Sequence, residues 1–248
     1  MDRLIYTAAS GMSASMIREQ VIASNMANAQ TTGFKAEVLY ATPVTVKGQG
    51  LETRALSQAE VHGANMAGGS VAATGRALDL AVQGNDLIAV QAADGSEAYT
   101  RRGDLTISPS GVLQNGDGRP VIGNGGPITL PLDAQVKISP DGTVLATNAE
   151  QPNLPPSPVD RIKLASPDGS SVMKGVDGLF RVAGGGVLPT NADAKVTSGA
   201  LEGSNVDPSG VMVEMVQAQR LFDIRTKLIS TAKDVDQSGA QLMSITAG

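Results

Sequence analysis

Apolar residues recur at helical, heptad-like intervals at both ends of the chain and not between them. This restricts the fold more than any other feature, because such a chain pairs its own termini or offers them to neighbouring subunits. At the amino end Ile5, Ala9, Met12, Met16, Ala23 and Met26 fall on alternating three- and four-residue steps, with Glu19 the break in the stripe. Gly11 lies inside the stripe and weakens a helix by about 1 kcal/mol relative to Ala. Gly33 follows, well placed to stop the chain in a left-handed conformation. At the carboxyl end Leu221, Leu228, Val235 and Leu242 repeat every seven residues. Ala218, Ile224, Ala232 and Ile245 fill the adjacent seam, which Arg225 and Gly239 interrupt. Asp207 followed by Pro208 predicts the start of this second helix, since Asp caps free amides and Pro at the first helical position loses no hydrogen bond. The competing reading of either stripe is one face of an ordinary helix on a globular core.

Between the ends the punctuation changes to that of strands and tight turns. Five Asp-Gly pairs occur, at 94–95, 117–118, 141–142, 168–169 and 177–178, with Asn115-Gly116 beside them. This dipeptide is a strong hairpin signal because it tolerates positive φ. Short β-prone runs lie among them at 87–91, 105–108, 121–122, 136–138, 143–146, 161–165 and 179–182. Many short strands with no helix from 76 to 200 predict an antiparallel sandwich or irregular barrel. The proline-rich stretch 151–158 reads as a loop, and residues 37–75, rich in Ala, Gly, Thr and Ser, read as an extended connector, part of which becomes ordered only on assembly. The expected fold class is therefore mainly β with terminal α-helices, in three parts: 1–36 with 205–248 as a discontinuous helical assembly domain, 37–75 as the connector, and 76–204 as a β-rich outer domain.

Composition limits function. The 248 residues are 41% apolar but only 2% aromatic, without Trp, so a core must be aliphatic. A net charge of −5 with no Lys/Arg cluster argues against nucleic acid or an anionic membrane surface as partner. There is no cysteine for a disulfide or a thiolate metal site. The opening residues lack the apolar region of a conventional secretory signal, and no window approaches the roughly 20 apolar residues of a membrane span. His62 is the single histidine and reads as a solvated side chain. Gly123-Asn124-Gly125-Gly126-Pro127 and Gly184-Gly185-Gly186 look like phosphate loops but carry no Lys-Ser/Thr and lead into no helix, so they read as turns. The Asp-Gly pairs lack the ligand spacing of a calcium loop. No residue is a candidate for catalysis, cofactor binding or metal ligation.

The segment Ser24-Asn25-Met26-Ala27-Asn28-Ala29-Gln30-Thr31-Thr32-Gly33-Phe34-Lys35 resembles the Asn-Asn-Leu-Ala-Asn and Thr-x-Gly-Phe-Lys/Arg signature of the bacterial flagellar rod and hook proteins, with Ser24 and Met26 as departures. Gly84 to Val90 resembles that family's Gly-x-Gly-Phe-Phe-x-Val strand, with Asn85, Leu87 and Ile88 in place of its usual residues. Tyr99 to Leu105 resembles its Tyr-Thr-Arg-x-Gly-x-Phe element, and Ser198 to Val206 its lead into the last helix. The matches span essentially the whole chain. Within the family, the opening Met1 to Ala8 and the single modest β-domain look most like the proximal-rod branch, with the distal-rod branch as alternative.

The resemblance implies a structural, non-enzymatic subunit of the basal-body rod, the drive shaft that crosses the periplasm. It implies export unfolded through the flagellar type III apparatus, and as partners other rod proteins and copies of the chain itself, with no nucleic acid, no membrane insertion and no cofactor. The assembly interface would be Ile5, Met12, Met16 and Met26 on the first helix with Leu221, Leu228, Val235 and Leu242 on the second. Asn25, Asn28, Thr32, Gly33 and Phe34 would form the corner where the first helix turns into the connector. Two interrupted helices are marginal alone, so the ends are expected to be loosely held before assembly. Readings from other classes are an extracytoplasmic β-domain enzyme acting on the cell wall, which needs carboxylates or Ser/Lys in a cleft, and an adhesin with trimerising helical ends.

Overall fold

The structure is a computed structural model that describes residues 2–45, 55–132, 134–148 and 155–245, with side chains described over 8–40, 63–132, 134–148, 155–235 and 237–238. It divides into two compact units, one holding the described parts of 1–27, 37–62 and 207–248, the other 28–36 and 63–206.

The first unit is built on two helices, α1 (Asp2–Ala27) and α2 (Pro208–Ile245), packed on one another. Asp207 caps α2: its two carboxylate oxygens accept the N–H groups of Ser209 and Gly210, each at 3.1 Å, and Pro208 takes the first position, where its missing donor costs nothing. Burial along α2 runs through Val211, Met215, Ala218, Phe222, Arg225, Ile229 and Ala232, alternating steps of four and three residues. That is a heptad seam, but not the one carrying the largest aliphatic side chains. Strands Glu37–Thr45 and Ala55–Ala64 pair in a two-stranded sheet, with α1 against the first of them. These strands occupy the stretch that reads as a connector. Pro43 and the weak apolar alternation hide them from sequence inspection. The side chain of His62 lies outside the described residues.

The second unit is mainly β. Its largest sheet is antiparallel, in the order Leu164–Ala165, Leu87–Gln91, Glu97–Thr100, Phe180–Val182, Val172–Lys174. A three-stranded sheet joins Ala134–Ile138, Thr143–Asn148 and Ser157–Arg161, and short pairs such as Leu80–Val82 with Val196–Ser198 complete the unit. Among the described residues none of these sheets closes into a barrel. Leu87–Gln91 is covered on both faces: Ile88 and Val90 join an aliphatic core with Leu80, Leu105, Leu113 and Val144, while Leu87 and Ala89 face a smaller cluster containing Tyr99, Phe180 and Leu188. Burial on both faces is why this strand reads as an unbroken apolar run rather than an alternating one. All five Asp-Gly pairs hold the glycine at positive φ, between 74° and 83°. Three of them, at Gly95, Gly142 and Gly178, connect consecutive paired strands.

Candidate assembly surfaces and the motif cluster

Asn25, at the end of α1, is buried and grips the chain twelve residues on. Its Oδ1 accepts the Glu37 N–H at 2.8 Å while its Nδ2 donates to the Glu37 carbonyl at 3.0 Å. The amide thus acts as a strand partner for the first residue of Glu37–Thr45, which Asp could do only in part because a carboxylate has no donor. In the second unit, the Asn28 side chain accepts the Thr31 hydroxyl at 3.1 Å and the Asn28 carbonyl accepts the Thr31 N–H at 3.1 Å. Thr32 is half-buried. Gly33 has φ of 67° and donates to the Glu202 carbonyl at 2.7 Å. A Cβ on Gly33 would stand 2.5 Å from the Arg101 carbonyl and the Arg102 nitrogen, so two backbones meet where only glycine fits. The Phe34 ring carries the Lys174 ammonium 3.4 Å from its centroid.

The next residue leads into a buried ion cluster. Lys35 Nζ donates to Glu202 Oε1 and to the Ala67 carbonyl, both at 2.7 Å. Glu202 Oε1 also accepts the Gly69 N–H at 2.8 Å, and its Oε2 receives Arg101 through Nε at 2.8 Å and a second guanidinium nitrogen at 2.6 Å. Arg101 donates in addition to the Asp86 carbonyl at 2.6 Å. Lys35, Glu202 and Arg101 are only 1%, 2% and 3% exposed. Burial resists ionisation of Glu202, but the hydrogen bonds from Lys35 and Gly69 and the Arg101 charge outweigh it and hold the carboxyl below its ordinary range. Burial likewise lowers Lys35, against the opposing pull of Glu202. Asn205 adds neutral stitches, accepting the Ala36 N–H at 2.7 Å and donating to the Asn65 and Ala67 carbonyls at 2.7 and 2.9 Å. A carboxylate that already accepts from three groups is a fastener: it ties segments 167 residues apart in the chain. Lys35, Arg101, Glu202 and Asn205 lie inside the motif segments 24–35, 99–105 and 198–206, where the one local signal of their role is charge set among glycines and apolar residues.

The expected assembly residues divide by exposure. Met12, Met26 and Leu221 are half-buried, whereas Met16, Leu228 and Val235 are 53%, 57% and 50% exposed. The side chains of Ile5 and Leu242 lie outside the described residues. The helices do not meet along the two stripes of large residues. On α1 burial falls on Ser15, Val21, Ile22 and Asn25, and the Arg225 guanidinium of α2 donates to the Gly11 carbonyl and the Ser15 hydroxyl. The face of α2 opposite its buried seam is left with Val213, Val216, Ile224, Leu228 and Val235 exposed.

Three family models match the chain: Flagella basal body rod protein over residues 5–35, Flagellar hook protein FlgE/F/G D1 domain over 81–146, and Flagellar basal body rod FlgEFG protein C-terminal over 197–242. The flagellar basal-body rod protein FlgF of Salmonella typhimurium is 40% identical, and that of Escherichia coli 41% identical, each alignment covering 99% of this chain and all of the relative. The chain belongs to the flagellar basal-body rod family. It is similar at lower identity, 31%, to the rod protein FlgG of Bacillus subtilis, over 96% of this chain and 97% of that one. The chain is accordingly a FlgF-like structural subunit of the basal-body rod. Each of the three matched segments of this rod subunit contributes one charge to the buried cluster: Lys35 from the first, Arg101 from the second, Glu202 from the third.

Proposed function

We propose that the chain polymerises, with copies of itself and with other rod proteins, through the outward faces of its terminal helices, as part of the proximal rod that carries torque across the periplasm. The observation that carries this is the stripe left over once α1 and α2 have packed: Val213, Val216, Ile224, Leu228 and Val235 stand in solvent along one side of α2, and Met16 along α1. A row of exposed aliphatic side chains on one face of a helix marks a contact surface. Each such side chain gains about 1.5–3 kcal/mol when buried, before ordering entropy is subtracted. Contacts between unlike faces that do not close give a helical tube rather than a ring. In this reading residues 1–36 and 205–248 are the assembly domain, 37–75 the connector and 76–204 the outward domain. Asn25, Asn28, Thr32, Gly33 and Phe34 are its corner, and Ile5 and Leu242 extend the stripes. Export through the flagellar type III apparatus fits a chain without disulfides. The role is mechanical, without catalysis, cofactor, nucleic acid or membrane insertion, and the buried charges Lys35, Arg101 and Glu202 serve to fasten the second unit.

The test is Leu228→Asp in the full chain. Leu228 is exposed, so the circular dichroism spectrum and the melting of the free protein should be unchanged while incorporation into rods and motility are lost. Normal incorporation would overturn the assignment of this face.

A further inference from the structure

The chain contains two Asn-Gly dipeptides, Asn115-Gly116 and Asn124-Gly125, which the structure places in opposite environments. Asn115 is 1% exposed, and its Oδ1 is held by the N–H groups of Asp117 at 3.1 Å and Arg119 at 2.9 Å. Asn124 and Gly125 are the exposed tip of the hairpin in which Ile122–Gly123 pairs with Gly126–Pro127. The Asn124 N–H donates to Asp160 Oδ1 at 3.2 Å, whereas among the described residues neither its side-chain amide nor the Gly125 N–H is held by a protein group. We infer that Asn124-Gly125 is a site of spontaneous covalent modification, deamidation to aspartate and isoaspartate, and that Asn115-Gly116 is protected by its fold.

The chemistry needs only water. The Gly125 nitrogen, giving up its proton to solvent base, attacks Asn124 Cγ, and the bond from Cγ to the amide nitrogen breaks with release of ammonia. The resulting succinimide is opened by water at either carbonyl, giving an aspartyl residue at this position from one and an isoaspartyl residue from the other. Gly125 favours the attack because no Cβ crowds its nitrogen, and the free amide of Asn124 can turn its Cγ toward it. At Asn115 the two bonds to Oδ1 hold the amide plane in place and burial keeps out water and base. The product puts a carboxylate beside Asp160, which already accepts the Asn124 and Arg161 N–H groups, and the isoaspartyl form lengthens the main chain inside a two-residue turn.

The purified full-length protein is incubated at mildly alkaline pH and digested with trypsin. Asn115 and Asn124 fall in one peptide, 103–137, because cleavage after Arg119 is blocked by Pro120, so fragment ions compare the two sites in the same molecule. In native protein Asn124 should convert at least several-fold faster than Asn115, with isoaspartate the main product. In urea the two should convert at similar rates. Gly125→Ala should slow Asn124 several-fold without disturbing the fold, since a Cβ there meets nothing within 4 Å and φ is not positive. Equal native rates, a faster Asn115, or conversion unaffected by Gly125→Ala would each overturn the inference.

Discussion

Glu202 accepts from Lys35, Gly69 and Arg101 at once, so its charge is what makes two buried cations tolerable. Glu202→Gln keeps the shape but leaves them uncompensated, and the second unit should lose about 3–5 kcal/mol in urea unfolding. The pH dependence follows from the same carboxyl. Its folded-state pKa lies below that of the unfolded chain, so its contribution is complete above about pH 4.3 and drains away as pH falls through the lower folded value. Wild type should therefore lose stability more steeply than Glu202→Gln on acidification below pH 4.3 or so. At Gly33 the constraint is steric. Gly33→Ala meets positive φ and the Arg101 backbone together and should cost more than about 1 kcal/mol by the same measurement.

Gly11 shows how differently a glycine can sit. On α1 a Cβ at this position would meet only the Arg225 side chain, at 3.8 Å, an ordinary contact. Gly11→Ala should therefore raise the stability of the helix pair by about 1 kcal/mol through helix propensity, read as increased helicity on warming; a loss would mean the Arg225 contact needs closer approach than the distances indicate. The existence of both helices and the start of the second were legible, because capping by Asp207 and Pro208 and apolar periodicity are local signals. The hairpins at Gly95, Gly142 and Gly178 were legible for the same reason. Which side of each helix faces its partner was not. Leu221, Leu228 and Val235 mark the strongest heptad, yet burial on α2 runs through Val211, Met215, Ala218, Phe222, Arg225, Ile229 and Ala232, a face whose mixed residue types hide it from a search for repeating large aliphatics. The strands Glu37–Thr45, Ala200–Glu202 and Val71–Ala73 also escaped notice, the first being weakly alternating and the other two short and paired with each other across a long sequence separation. The ion cluster is the extreme case: its residues were visible as motif letters, but only folding shows that Lys35, Arg101 and Glu202 meet.

At the scale of the molecule the two units differ in how their interiors are made. The second has a continuous aliphatic core, from Leu80 to Val196, and the smaller cluster around Tyr99, reinforced by the buried ions. The helical unit fully buries few large side chains among its described residues, Val21 and Ile22 chief among them, while Met16, Ile224 and Leu228 are exposed. Opening of the helix pair must therefore cost less than opening of the β unit, and local opening sets the rate of amide exchange. Peptide-resolved hydrogen exchange on the free subunit should show residues 2–27 and 208–245 exchanging well before 80–200, and the same helices should slow markedly in assembled rods while the β unit changes little. Leu228→Asp should leave the free-subunit pattern as it is, because that side chain touches little before assembly. Helices as protected as the β unit in the free subunit would show that their outer stripe is already covered, and the protein would then reach the rod as a preformed oligomer rather than as a subunit whose helices await neighbours.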